Sequence, residues 1–161
     1  MPTLIHRWVE SCRTGTNPRC IARVGSGWVV FGQSQFLHGY CLLLPDPVVG
    51  HLNEMALKHR QDFLLEATLI GDALLAATDA VRINYEVLGN LEPALHLHIV
   101  PRYDHEQEHL KTKPVWSYNW DSAPQFDESK LKKLRQQVIK HISNAGAICS
   151  AQSVESVRRE L

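Results

Sequence analysis

Two histidines separated by one residue, His96 and His98, have the type and spacing for covalent chemistry on a phosphate. Alternate side chains of a β-strand share a face, so the two imidazoles would lie about 6.5 to 7 Å apart at the backbone. Neutral imidazole is a nucleophile at pH 7, and its protonated form donates a proton or stabilises a phosphoryl oxygen. On spacing alone, such a pair is more often an exposed polar face or a metal-binding pair than a covalent catalyst.

Residues on both sides of this pair can bind an anion. Gly89 and Asn90 precede it in a predicted turn, where backbone N–H groups and an amide can hold phosphate oxygens. Arg102 follows it, and a guanidinium there either binds phosphate or is simply solvated. This context favours a catalytic pair with Gly89, Asn90 and Arg102 as candidate substrate-binding residues, while an exposed polar face and a metal-binding pair stay open.

The strands that position these side chains are predicted from hydrophobic patterning. Apolar runs predict five strands, with a turn at 25–27 joining the first two into a hairpin: residues 21–24, 28–31, 39–45, 82–88 and 94–100. Pro101 should end the last strand, because proline cannot donate to a sheet ladder. In that strand Leu95, Leu97 and Ile99 should face the core, and the histidines should lie on the opposite face.

The helices are predicted from apolar residues spaced three or four apart. This spacing predicts a main helix over 51–80 and a second amphipathic helix over 127–144, which Asp127 can cap. Residues 7–13 can form one or two further turns. Residues 103–125 lack periodicity and predict an irregular loop, and the tail after Ile148 is expected to be frayed.

Composition restricts the class of protein. At 161 residues the chain fits one domain, residues 1–161. Lys plus Arg balance Asp plus Glu at 17 each, so the basic excess typical of nucleic-acid-binding proteins is missing. We expect a cytoplasmic protein with no membrane partner, because there is neither an apolar signal core nor an apolar run of membrane-spanning length. Four scattered cysteines without a CxxC pair indicate free thiols, with Cys41 in the core.

The segment from Asn84 to Tyr103 resembles the signature of histidine triad (HIT) proteins. Their motif is His-φ-His-φ-His-φ-φ, with φ apolar, often followed by Pro-Arg as it is here. Residues 28–31 and 36–45 are similar to the family's nucleotide-side hairpin, so the likeness covers roughly residues 17–103. This chain departs from the pattern at Ala94, where the first histidine stands, and at Tyr40, where the family frequently has the histidine of a Gly-His pair.

The resemblance implies a fold and two catalytic roles. The fold is α+β and HIT-like, with an antiparallel sheet of about five strands, a main helix and a C-terminal helix. His96 is then the nucleophile that becomes covalently nucleotidylated, and His98 contacts the α-phosphate. The family's nucleophile is oriented by a hydrogen bond to the main-chain carbonyl of the first motif position, and Ala94 still supplies that carbonyl.

The resemblance also implies substrate-binding positions. Asn90 matches an amide that contacts phosphate, and Gln33 lies near a position that binds ribose. Phe31 and its neighbour Val30 can flank the base. The aromatic segment 114–120 is expected to pack against the sheet, with the alternative that it covers a bound nucleotide or a second subunit.

The function implied is that of a nucleotide hydrolase or nucleotidyl transferase acting at an α-phosphate. Diadenosine polyphosphates are the preferred substrates, and nucleoside phosphoramidates are the second option. Two other classes stay open: a nucleotide-binding sensor with weak turnover, and a metal-binding module that joins His105 or His109 to the histidine pair. No cofactor or structural zinc is expected, although a divalent ion can accompany a polyphosphate. Family members are usually homodimers, so residues 51–80 are the expected interface.

Overall fold

A computed structural model describes residues 1–147 of the chain. Five strands form one sheet in the order β1-β2-β3-β5-β4, and every neighbouring pair is antiparallel. This confirms the α+β class and the antiparallel sheet. The strands are β1 (Cys20–Val24), β2 (Gly27–Phe31), β3 (Cys41–Pro45), β4 (Arg82–Val87) and β5 (Leu97–Arg102).

Four α-helices accompany the sheet in the described residues: α1 (Leu4–Arg13), α2 (Leu57–Ala77), α3 (Glu108–Lys111) and α4 (Glu128–Asn144). The predicted second helix is confirmed together with its cap, since the Asp127 carboxylate accepts from the Ser129 N–H at 2.9 Å. The first helix is longer than predicted. None of these helices is both long and apolar enough to cross a membrane.

The main helix begins later than the prediction of 51–80. Residues Leu52–Glu54 form a single 3₁₀ turn instead, and the backbone at Met55 and Ala56 is extended. The early part of the predicted range has no apolar stripe, and Met55 packs into the core from outside the helix. The helix therefore starts at Leu57, from which its apolar stripe can face the sheet.

Both faces of the sheet are covered. One face packs against α2 and α4, and Leu95, Leu97 and Ile99 lie on that side as predicted. The other face is covered by α1 and by the segment 103–125, which bury Val30 and Leu42. Since both faces are covered, the histidines are not on an open polar surface.

Strand β5 corrects the predicted range 94–100. It begins at Leu97 and continues through Pro101 to Arg102. Its ladder with β3 ends at Ile99, so Pro101 lies where β5 has only β4 as a neighbour and needs no second donor. His96 consequently stands just before the strand, and His98 lies inside it between Leu42 of β3 and Glu86 of β4.

The cysteines within the described residues, Cys12, Cys20 and Cys41, are free and buried, as expected. Cys149 and the tail after Ile148, which was expected to be frayed, lie outside the described residues.

Candidate active site

A cavity of about 180 Å³ lies on the sheet face that α1 and the segment 103–125 cover. Both histidines line it, together with the first turns of α1, residues 32–34 after β2, and two tryptophans of the covering segment. His96 is 8% exposed and His98 is 6% exposed, so both imidazoles are largely shielded from solvent. Their ring centroids are 4.8 Å apart, at an interplanar angle of 76°.

The first imidazole is oriented by the backbone. Nδ1 of His96 lies 2.8 Å from the carbonyl oxygen of Ala94. A carbonyl can only accept a hydrogen bond, so Nδ1 carries the proton and Nε2 of the neutral ring keeps its lone pair. No hydrogen bond from a described residue reaches Nε2, which leaves this atom for a ligand in the cavity.

The second imidazole is in contact with a buried phenol. The Tyr40 hydroxyl lies 2.6 Å from Nδ1 of His98, and the two rings are stacked at 5.9 Å. Burial, and to a lesser extent the neighbouring His96, lower the pKa of His98 to about 4. His98 is therefore neutral at pH 7. The sequence offered Tyr40 only as a departure from the family pattern, and its contact with His98 depends on how β3 and β5 pair.

An aromatic wall of Trp116 and Trp120 lines the cavity beside His98, and Phe36 packs edge to face against Trp120. Trp116 meets His98 edge to face at 5.1 Å and stacks on Trp120 at 5.1 Å and 10°. The Trp116 indole N–H donates to the Glu86 carboxylate. The segment 114–120 packs against the sheet as expected, with Val115, Tyr118 and Trp120 in the cluster that covers Val30 and Leu42, and Trp116 lies over His98.

Helix α1 also lines the cavity, with Leu4, Ile5 and Trp8. Glu92 holds it there, because its carboxylate accepts from the Leu4 N–H at 3.0 Å and from the Ala94 N–H at 3.1 Å. One side chain therefore ties the start of α1 to the backbone that orients His96. Sequence reasoning missed this role, although an acidic residue suits a helix N-terminus.

Of the predicted substrate-binding residues, Gln33 does line the cavity, with Ser34 beside it. Its amide donates to Gln125 at 3.3 Å. Gly89 and Asn90 are exposed and are not part of the cavity lining, so the turn before the histidines is not brought to the site.

Phe31 lies on the wrong side of the sheet for its predicted role. It packs against Phe126 at 6.1 Å, in the core beneath α2 and α4. Successive strand residues point to opposite faces, so its neighbour Val30, and not Phe31, shares the face of the histidines.

Arg102 is neither a phosphate ligand nor a solvated side chain. It is 7% exposed, and its guanidinium pairs with the Glu106 carboxylate at 2.8 Å. It also donates to the carbonyls of Leu110, Lys111 and Lys113 at 3.0 to 3.2 Å. Its donors hold the covering segment in place, which corrects the predicted substrate-binding role.

The metal-binding alternative required a third ligand near the histidine pair. Within residues 1–147, no group of three or more His, Cys, Asp or Glu side chains is arranged to hold a metal ion. His105 is instead exposed and lies 3.9 Å from the Asp79 carboxylate, and His109 is exposed on α3.

Comparison of the sequence with known proteins finds no matching family model and no matching curated protein. The backbone, in contrast, is similar to solved histidine triad proteins. A structure from Marinobacter aquaeolei VT8 aligns with a TM-score of 0.70 and 16% identity, over 89% of this chain and 98% of that one. A structure from Bradyrhizobium japonicum aligns with a TM-score of 0.68 and 21% identity, over 76% and 89% of the two chains.

A third structure, a hypothetical histidine triad nucleotide-binding protein from Sulfolobus tokodaii strain7, aligns with a TM-score of 0.64 and 12% identity. The alignment covers 86% of this chain and 92% of that one. These likenesses show that the chain has the histidine triad fold, which confirms the predicted fold.

Proposed function

We propose that this chain is a nucleotide hydrolase or nucleotidyl transferase that attacks an α-phosphate with His96. The observation that carries the proposal is the 2.8 Å contact between Nδ1 of His96 and the Ala94 carbonyl, which leaves the Nε2 lone pair for the cavity. A buried, oriented neutral imidazole is an activated nucleophile. The nucleotide-binding name of the Sulfolobus tokodaii protein with the same fold supports the proposal.

The reaction is a double displacement at phosphorus. Nε2 of His96 forms a bond to the α-phosphorus while the bond to the leaving group breaks. Water or another acceptor then attacks the phosphorus and releases His96, so two inversions give net retention. The Ala94 carbonyl stabilises the cationic ring of the nucleotidyl-histidine through Nδ1–H, and His98 stabilises the charge on the phosphoryl oxygens.

The lining of the cavity offers both polar and apolar groups to a nucleoside. Gln33 and Ser34 supply polar groups for the ribose hydroxyls, while Leu4, Ile5 and Trp8 give an apolar surface for the base. The guanidinium of Arg19 lies over the Trp8 ring, 4.0 Å from its centroid, and helps to hold that ring in place. This arrangement replaces the predicted base contact by Phe31.

Two substrate classes are candidates. Diadenosine polyphosphates follow from the family resemblance. Nucleoside phosphoramidates and adenylylated amines are favoured by the charge of the cavity, because its lining in the described residues has Glu92 and neither Lys nor Arg. The two neutral imidazoles can contact a single α-phosphate without adding charge, whereas a polyphosphate brings further negative charge towards Glu92. A divalent ion bound to the polyphosphate would offset that charge.

The experiment is mass spectrometry of protein quenched during reaction with diadenosine tetraphosphate and, separately, with adenosine phosphoramidate. The wild type should carry a nucleotidyl adduct on His96, and His96→Ala should carry none. His141→Ala is the matched control, because His141 is exposed on α4, away from the cavity. An adduct that persists in His96→Ala would overturn the assignment. Tight binding of both compounds, with neither adduct nor released mononucleotide, would favour the sensor instead.

We also propose that the chain is a homodimer that pairs through α2 and the edge strand β4. Large apolar side chains on these elements are exposed: Leu57, Leu64, Leu65, Leu75, Tyr85 and Val87. Several large apolar side chains exposed on one helix and on an edge strand favour an interface there. Light scattering after size exclusion should give the mass of two chains, and Leu65→Glu should give one. Leu91→Glu, at a fully exposed leucine outside these elements, should leave the dimer intact.

A further inference from the structure

We propose that Tyr40 is a positioning residue that fixes the tautomer of His98. Its hydroxyl donates to Nδ1 of His98 and so keeps the proton of that ring on Nε2, facing the cavity. The two imidazoles then present opposite atoms to a ligand, a lone pair from His96 and an N–H from His98. The catalytic consequence rests on the proposed function, whereas the tautomer itself does not.

The geometry holds the phenol in one place. Tyr40 is 4% exposed, Phe36 stacks on its ring at 5.9 Å, and the His98 ring lies nearly parallel to it at 5.9 Å with Nδ1 against the hydroxyl. The distance of 2.6 Å from its oxygen to Nδ1 is that of a strong hydrogen bond. A buried and closely packed ring keeps its hydroxyl oxygen beside Nδ1 of His98.

Two further residues hold the backbone around the phenol. The Gln35 amide donates to the carbonyl of Tyr40 at 2.8 Å and to that of Gly32 at 2.9 Å. A Cβ atom at Gly32 would lie 2.4 Å from the Tyr40 ring, so glycine leaves the space that the ring occupies. The contact with His98 is thus supported by the segment that follows β2 and not by β3 alone.

The direction of the hydrogen bond follows from the protonation states of both groups. Burial, with smaller contributions from Cys41 and Glu86, raises the pKa of the Tyr40 hydroxyl, and Arg19 only partly opposes this. The phenol is therefore protonated and His98 is neutral at pH 7. If Nδ1 of His98 were the donor, the phenol would need another acceptor, and the described residues provide none.

This tautomer matters because the phosphoryl oxygens can only accept hydrogen bonds. With its proton on Nε2, His98 donates to an oxygen whose negative charge grows in the transition state. With the proton on Nδ1, the same ring would direct a lone pair at that oxygen and repel it. Tyr40 thereby assigns the two chemically identical side chains to different tasks.

The test compares Tyr40→Phe with the wild type by nitrogen-15 NMR of the imidazole rings and by steady-state kinetics. In the wild type, Nδ1 of His98 should be unprotonated and Nε2 protonated, and Tyr40→Phe should give a mixture of tautomers. With whichever nucleotide the wild type turns over, kcat should fall about 10-fold with KM little changed, because the phenylalanine ring still fills the cavity wall.

Tyr118→Phe is the matched control, since it removes a phenol hydroxyl that binds Glu106 and does not contact His98. It should keep the wild-type tautomer. A wild-type spectrum with the proton of His98 on Nδ1 would refute the proposal without any activity measurement. An unchanged tautomer or an unchanged kcat in folded Tyr40→Phe would also refute it. A correct tautomer in a protein that forms no nucleotidyl adduct would reject the proposed function and leave the tautomer assignment standing.

Discussion

Replacing Arg102 with methionine distinguishes two roles for this residue: the phosphate binding predicted from the sequence, and the buried ion pair with Glu106 in the structure. The Arg102 and Glu106 side chains are 9% and 3% exposed, so the substitution leaves a buried carboxylate without its cation. Removing one partner of a buried pair costs about 3 to 5 kcal/mol of the free energy of unfolding. For a chain of this length, that corresponds to a fall of about 6 to 20 °C in Tm. If Arg102 instead bound phosphate at the surface, its replacement would weaken nucleotide binding and leave Tm unchanged.

The measurement is thermal and urea unfolding of Arg102→Met, with Arg7→Met as the control because Arg7 is exposed on α1. The double variant with Glu106→Gln should recover part of the loss, since no charge is then left buried. Burial acts to raise the pKa of Glu106, but hydrogen bonds from Arg102 and Tyr118 outweigh it and lower the pKa below 4.5. The stabilisation is therefore present above that value and is lost as pH falls below it. Wild-type stability in Arg102→Met, with impaired nucleotide binding, would refute this reasoning.

Three further predictions concern the cavity. Trp116→Ala should open the aromatic wall and raise KM about 10-fold. It should also raise the pKa of His98, measured by NMR, because burial keeps that pKa low. Ala94→His should lower the free energy of unfolding by about 1 to 3 kcal/mol, because Ala94 is 4% exposed and a larger side chain would overpack the site. The substitution should not raise kcat, because the backbone carbonyl of residue 94 already orients His96. Burial lowers the pKa of His98 to about 4, against an ordinary value of 6.5, so the folded state resists protonation of this ring more than the unfolded state does. The free energy of unfolding therefore has its full value above pH 6.5 and decreases as pH falls towards 4. His98→Gln should flatten this part of the pH–stability curve, and an equally steep curve in the variant would show that another group titrates.

The sequence predicted the features that depend on local periodicity. Strand alternation correctly placed Leu95, Leu97 and Ile99 in the core and left the two histidines together on the other face. Alternation could not place Phe31 in the same way. Every residue of β2 is buried, so the strand has no polar pattern that shows which side chains face α2 and α4 and which face the cavity.

The features that depend on pairing between distant segments could not be read from the sequence. Arg102 donates hydrogen bonds to Glu106 and to backbone carbonyls as far along the chain as Lys113. The sequence around it would be the same for a solvated arginine, so it does not predict these bonds. The contact between Tyr40 and His98 joins residues 58 positions apart, through the register of β3 with β5. Both depend on the tertiary structure, which overrides what the local sequence favours.

The placement of α1 has a practical consequence for work with this protein. Leu4 lines the cavity, and Glu92 binds the N–H of that same residue at 3.0 Å. An affinity tag fused ahead of Met1 would therefore emerge near the cavity and compete for space with a nucleotide bound as we propose. Protein for kinetics or ligand screening should carry its tag at the other terminus, or have an N-terminal tag removed before the first assay.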